Sequence, residues 1–376
     1  MNGVKNKLIM KGTIKISKDF TSEDWKELRP QLLYSNDNWP KATQVFQDRI
    51  ESRFFNPIEK IKSIGKNEGE GFSIALISVV ILESIAAFEL GKIYRIGGKN
   101  LAPHEYYRGI DLLKSFLRSN SIFNQHFDSN TKVQNFYENI KCGLVHEART
   151  MDNDVIISNE SPKNTKPNSI YFKVDGELRL NRDLMLVTIK SFVENYKDRL
   201  LKNELHLRSK FIIKLDDISG LKHVWYFIYG SNLYEEQLKV RLKAIDENYL
   251  QKEKCLLKGY EFTYNKRSED GSSKANIIKT EKGIVEGIAI LILEKKLDEF
   301  KKKWEAGYDK EEVNIQTENN INEKNCKDTF KAYTFISTNL TTVPPSDEYV
   351  NKIIKGAYEN NLSQEYIENK IMYVKP

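Results

Sequence analysis

The sequence predicts an α+β protein in two parts, a mostly helical N-terminal domain followed by a small mixed domain of strands and flanking helices. Three observations predict it. Before residue 201 the apolar residues recur at helical spacing, and residues 72–90 are apolar almost throughout. Beyond residue 223 they gather instead into short runs, 224–229 and 284–293, beside Gly, Asn and Asp. The chain has 376 residues and 40% hydrophobic content, enough for two separate cores.

The elements of the first domain follow in order. Residues 40–64 read as a helix, with Phe46, Arg49, Arg53 and Phe54 along it. Pro57 kinks or restarts it. Gly69-Glu70-Gly71 turns the chain into the apolar segment 72–90. That segment carries Glu83 and Glu89, which favours a buried helix over a membrane span. Residues 106–117 and 133–149 read as amphipathic helices, and 151–169 as a polar loop. Asp175-Gly176 between 170–174 and 177–180 is a hairpin signal. A long helix over 184–201 completes a domain spanning 1–205. Residues 206–222 read as a connector, and the second domain spans 223–376.

In the second domain strands are expected at 224–229, 258–264, 284–293, 312–317 and 330–336. Helices are expected at 233–244, 296–304, 346–359 and 363–370. The polar stretch 319–327 reads as a hairpin tip, and Ser346, after Pro344-Pro345, as a helix N-cap.

The net charge is +6 and the pI about 8.8, with Lys and acids interspersed. A solvated surface explains this balance, and nucleic-acid binding is allowed without being indicated. Cys142, Cys255 and Cys326 form no disulfide framework and no metal spacing. They suit a reducing compartment. Residues 1–17 show no signal-peptide pattern, so a cytoplasmic protein with no membrane association is expected. His104, His126, His206 and His223 lack metal-ligand spacing. No P-loop, dinucleotide fingerprint or Ser-His-Asp arrangement is visible, and no metal or cofactor is expected.

The most informative stretch is Tyr229-Gly230-Ser231-Asn232-Leu233, where the apolar run 224–228 ends in a tight loop. Gly230 permits close backbone approach. Ser231 and Asn232 add donors and leave backbone N–H groups able to meet an anion. An ordinary strand–turn–helix reads the same way. Further along come Arg241, Gly259-Tyr260-Glu261-Phe262-Thr263-Tyr264-Asn265, Ser272-Ser273-Lys274-Ala275-Asn276-Ile277, Leu297-Asp298, Trp304-Glu305-Ala306-Gly307-Tyr308, Pro344-Pro345-Ser346 to Tyr349, Ile354-Lys355-Gly356-Ala357 and 362–366. In this order residues 223–373 resemble the gamma-glutamylcyclotransferase family, including its AIG2-like branch.

The resemblance implies a small β-barrel flanked by helices. It also implies an enzyme that releases 5-oxoproline and an amine from a small gamma-glutamyl compound, without a cofactor. Glu305 matches the family's general base, and neighbouring Trp304 suggests a buried carboxyl of raised pKa. The lysines around it argue the other way. Without the resemblance Glu305 is one more charge in the run 295–312. Tyr229, Gly230, Ser231, Asn232 and Leu233 would bind substrate. Tyr308 is either a substrate hydrogen-bond donor or a packed tyrosine, and Tyr333 could face either way. The pair Glu-Gly of the family is Glu305-Ala306-Gly307 here.

Lys141-Cys142-Gly143-Leu144-Val145-His146-Glu147 is faintly similar to HEPN-type helical domains, where an Arg and a His cut RNA. Lys141 and His146 therefore form a possible second site, although Lys stands where that family has Arg. The plainer reading is a buried histidine satisfied by a partner such as Glu83 or Glu147. Three functions stay open at this point. One is a cyclotransferase behind a regulatory or oligomerising helical domain. Another is a bacterial conflict or defence effector acting on RNA and sensing a small molecule. The third is a ligand-binding module without turnover. The apolar surface of 74–90 also suggests a homodimer through the first domain.

Overall fold

The computed structural model describes residues 12–64, 69–160, 168–318 and 329–372. They fall into two compact units. One comprises Met1–Gly97 and Tyr106–Gly220, and the other Gly98–Glu105 and Leu221–Pro376. The expected hairpin tip at 319–327 and Cys326 lie outside the described residues.

The helical unit contains α1 (Ser22–Leu32), α2 (Trp39–Ile50), α3 (Asn56–Ile64), α4 (Glu70–Leu90), α5 (Gly109–Ser119), α6 (Asn130–Asn135), α7 (Arg182–Leu201) and α8 (Leu205–Ile218). Helix α4 is apolar on nearly every side, which suits a helix packed from several directions. Phe46 of α2 meets its Phe88 edge-to-face at 4.8 Å, and Tyr196 of α7 and Phe211 of α8 join the same ring cluster. By length and composition α4 could cross a membrane, yet 56% of its most apolar window is buried within the protein. Residues 206–222, read as a connector, are mostly α8. Its Leu207, Phe211 and Leu215 are buried, so the unit's core needs it.

Between α2 and α3 the chain makes one wide π-helical turn, Glu51–Phe55, so Pro57 enters at the second position of α3. The helix runs on through this turn, with Asn56 N–H bonded to the Glu51 carbonyl, and the wider turn accommodates the residue that has no N–H. Two short strands follow α4, β1 (Ile93–Tyr94) and β2 (Glu105–Tyr106). Beyond α6 the chain stays π-helical over Phe136–Glu147. Strand β3 (Val155–Ile157) lies in the expected polar loop and pairs in parallel with residues 179–181. The hairpin β4 (Tyr171–Val174)–β5 (Glu177–Asn181) turns on Asp175 and Gly176, with φ of 50° and 87°. Two left-handed residues match the twist of a tight hairpin.

The second unit is a closed barrel of β6 (His223–Ile228), β7 (Gln251–Arg267), β8 (Ser273–Leu293), β9 (Asp309–Thr317) and β10 (Phe330–Ile336). Their order around it is β10-β6-β8-β7-β9. Strand β6 runs antiparallel to β8, with Trp225 opposite Leu291, and parallel to β10, with Tyr226 opposite Tyr333. Residues 288–292 of β8 are all buried, as a strand covered on both faces requires. Helix α9 (Glu235–Lys243) follows the β6 loop, α10 (Glu294–Trp304) joins β8 to β9, and α11 (Asp347–Glu359) starts at the Ser346 N-cap. Short α12 (Gln364–Tyr366) ends the unit before a π-helical turn, Ile367–Ile371. The expected strands are all present. The β7–β8 pair is far longer than expected, because Ser273–Leu293 is one continuous strand rather than a loop and a strand.

Candidate active site

Strand β6 ends at Ile228, and Tyr229-Gly230 leads into a single 3-10 turn, Ser231–Leu233. The loop is set from behind by α11. Asn360, just past that helix, donates Nδ2 to the Leu233 carbonyl at 2.7 Å. A Cβ on Gly356 would come within 2.3 Å of the Leu233 carbonyl carbon, so only glycine allows the helix this close.

Across the barrel, α10 stops at Trp304 and places Glu305 at its C-cap. The Glu305 side chain is 12% exposed. Asn232 Nδ2 donates to Glu305 Oε1 at 2.8 Å, and Arg241 Nη1 stands 3.6 Å from the same oxygen. Helix α9 sets the amide of Asn232. Gln237 and Arg241, one turn apart, both donate to Asn232 Oδ1, at 3.2 and 2.8 Å. With Oδ1 so occupied, Nδ2 must face the carboxylate. Oε2 of Glu305 accepts no hydrogen bond from the described residues. Burial raises the Glu305 carboxyl above the usual carboxylate range. Arg241, the Asn232 hydrogen bond and Lys266 pull it back only in part.

A narrow cavity of about 40 Å³ lies between the loop and this carboxylate, lined by Gly230, Ser231, Asn232, Glu305, Tyr308 and Tyr349 among others. A basin of about 340 Å³ shares Ser231, Glu305, Tyr308 and Tyr349 with it, and adds Arg241, Lys266, Arg267 and Lys274. Tyr349 OH accepts the Ala275 N–H at 3.2 Å. Burial pushes this phenol up to about 12, so it keeps its proton at neutral pH. Tyr226, Tyr229 and Tyr308 are pushed well above their ordinary value by burial as well.

Residues 291–369 match the model of the AIG2-like family. That AIG2-like stretch runs from the end of β8 to the end of the barrel unit's helices. Solved structures similar to the chain include one of a gamma-glutamyl cyclotransferase, 23% identical, covering 41% of this chain and 89% of that one at a TM-score of 0.34. Another is of a human protein, 22% identical, with coverage of 41% and 89% and a TM-score of 0.34. A third is of a yeast gamma-glutamyl cyclotransferase specific to glutathione, 12% identical, with coverage of 40% and 94% and a TM-score of 0.31. No curated protein matches the chain.

The barrel unit brings most of the expected site residues together. Gly230, Ser231, Asn232, Glu305 and Tyr308 line one cavity with Tyr229. Leu233 does not. Its side chain is fully buried, because the 3-10 turn points it inward beneath α11. Tyr229 contributes its ring only, since its hydroxyl donates to the Phe335 carbonyl. Tyr308 likewise spends its hydroxyl on the Ala275 carbonyl at 2.6 Å, which leaves it no proton for a ligand. Tyr333 faces away from the cavity, with Lys310 4.8 Å from its ring. Arg241, Gln237, Tyr226 and Tyr349 were not assigned roles from the sequence. The i, i+4 spacing of Gln237 and Arg241 on α9 was the available signal.

In the helical unit Lys141 and His146 diverge. The π-helix carries about 4.4 residues per turn, so residues four apart form rows. Lys141 reaches Tyr137, in its own row, at 3.5 Å. His146 lines a separate pocket with Glu138, Cys142 and Met151. It is exposed, not a buried histidine satisfied by Glu83 or Glu147, because its row faces solvent.

Proposed function

We propose that the AIG2-like unit is a gamma-glutamyl cyclotransferase-like enzyme with Glu305 as general base. One observation carries the reading. Glu305 is held through Oε1 and open through Oε2, in a cavity beside a loop with unoccupied donors. Among the described residues the N–H groups of Gly230, Ser231 and Asn232 meet no backbone acceptor.

The chemistry needs an acceptor for one proton, donors for an oxyanion, and a curled substrate. Oε2 takes a proton from the substrate's α-ammonium. The freed amine attacks the γ-carbonyl carbon, and a C–N bond forms as the five-membered ring closes. The tetrahedral oxyanion lies against the loop N–H groups. Tyr349, a phenol that keeps its proton, stands beside them as a further donor. Glu305 then returns the proton to the departing nitrogen, the amide C–N bond breaks, and the ring nitrogen gives up its second proton to the freed amine, which leaves as its ammonium. The products are 5-oxoproline and a free amine, with no water consumed. A carboxyl raised above its usual range is matched to taking and returning a proton near neutrality.

The test is incubation of the full chain with gamma-glutamyl compounds, following 5-oxoproline by mass spectrometry. Release that disappears in Glu305→Gln supports the reading. Equal release by that variant overturns the role of Glu305, and no release from any compound overturns the activity.

A further inference from the structure

The helical unit gathers cations that it does not neutralise. Arg49 near the end of α2 and Arg53 in the π-helical turn lie four residues apart, on one face. Neither forms an ion pair among the described residues. Each is anchored instead to the loop before α1. Arg49 Nη1 donates to the Ile16 carbonyl and Arg53 Nη2 to the Lys15 carbonyl, both at 2.7 Å. An antiparallel bridge between Lys15 and Thr21 closes that loop. Its acid, Asp19, is exposed and forms no ion pair among the described residues. The first 18 residues carry five lysines and no acid, so the start of the chain brings no carboxylate either.

From α8, Lys214 joins these groups. Its side chain is 13% exposed, and it shares Asp217 with Arg95. Both contacts are loose, 3.8 Å from Lys214 Nζ and 3.6 Å from Arg95 Nη1. One residue earlier, by contrast, Arg29 meets Asp216 at 2.7 Å. Burial lowers the Lys214 ammonium below its usual range. Asp217 raises it in part, and Arg49 and Arg95 press it further down. Burial, with Arg53 beside it, brings the Arg49 guanidinium down to about 10, so it stays charged at neutral pH. Like charges held together away from water cost stability unless an opposite charge meets them. Groups perturbed in this way concentrate at functional sites.

We propose that Arg49, Arg53 and Lys214 form a binding site for a compact, multiply charged phosphate group, a monoester or a diphosphate. The geometry selects this class. Both guanidinium groups are fixed by backbone carbonyls and keep further N–H groups for an acceptor. A planar guanidinium binds phosphate oxygens two at a time. Cations from α2, the π-helical turn and α8 converge on one place, where a single dense anion meets all of them. A nucleic-acid strand instead needs cations spread along a row of phosphates. The site lies in the helical unit and does not rest on the cyclotransferase reading.

The probe is pyrophosphate, titrated calorimetrically into the full chain, with sodium chloride of equal ionic strength as the control. Saturable one-to-one binding is expected, weakened roughly tenfold or more by Arg53→Gln and by Lys214→Met. Arg49→Lys should weaken it too, since an ammonium cannot grip two oxygens while holding Ile16. Arg49 also anchors the loop, so the decision falls to Arg53 and Lys214, with thermal melts showing that both variants are folded. Pyrophosphate should raise the melting midpoint of the wild type and leave that of Lys214→Met unmoved. No binding by the wild type, a rise that sodium chloride reproduces, or equal binding by the wild type and both variants overturns the site. So does a single-stranded RNA that binds more tightly with each added nucleotide and is not displaced by pyrophosphate, the behaviour of an extended surface.

Discussion

Asn232 Nδ2 meets Glu305 Oε1 at 2.8 Å, while Gln237 and Arg241 together hold the other end of the same amide. The amide is a relay between helix α9 and the carboxylate. Asn232→Ala should free Glu305 to rotate and lower kcat by about 10–100-fold, as loss of a positioned base does. Asn232→Asp should do more. A second carboxylate at this distance raises the Glu305 pKa further, so the acid limb of its pH profile should move up. A pH–rate series on both variants separates lost positioning from added charge.

With Glu305 as the proposed base, its carboxyl sets the pH dependence expected of the wild type. Its carboxyl lies above the ordinary value of 4.5, mainly through burial. In the free enzyme kcat/KM should therefore rise with pH through that elevated value, then level off. Lys266→Met removes one of the groups that pull it down, and should shift the rise to higher pH. An unmoved acid limb in that variant would argue that another group titrates.

The same carboxyl weakens the fold at neutral pH. Between 4.5 and its raised value the folded chain keeps a proton that the unfolded chain has released. Stability contributed at this position is thus lost as pH rises through that window. Glu305→Gln should abolish turnover, by roughly 100-fold or more, yet melt higher than wild type at pH 8. The two should converge near pH 4. Thermal melts at both pH values check the sign.

Much of the barrel unit was legible because its strands announce themselves. Val224 to Tyr229 and Ile288 to Leu293 are continuous apolar runs, and in the helical unit Asp175-Gly176 marked its hairpin by the need for two left-handed residues. Helix α8 was missed because Arg208, Asp216 and Asp217 break its pattern. Asp216 is nonetheless fully buried, accepting from Trp25 Nε1 and Arg29 Nε at 2.7 Å each. Its charge looked like solvent exposure and is instead a buried pair. Helix α1 was missed although Thr21 and Asp24 form a capping box. The carboxylate and its loop were legible from ordered motifs, whereas the clamp of Gln237 and Arg241 depends on how α9 leaves the loop. Tyr308 shows the limit. Nothing in the sequence says that its hydroxyl is spent on Ala275.

Two glycines near the loop should behave in opposite ways. A Cβ on Gly230 would stand 3.3 Å from Ala275 Cβ, with φ −106°, so Gly230→Ala requires only a small shift. It should cost little stability but narrow the cavity, and Gly230→Val should block ligand approach altogether. A Cβ on Gly356 meets the backbone of Leu233 and Tyr234 at 2.3 Å. Backbone cannot yield as a flexible side chain can, so α11 must move away. Gly356→Ala should destabilise the chain by about 1–3 kcal/mol. Because Asn360 holds the Leu233 carbonyl from the same helix end, that movement should also shift Ser231 and Asn232. Turnover should fall even at temperatures where Gly356→Ala is fully folded. Circular dichroism melts paired with 5-oxoproline assays below the transition decide it. A variant with full activity and lowered stability would mean that α11 supports the fold without positioning the loop.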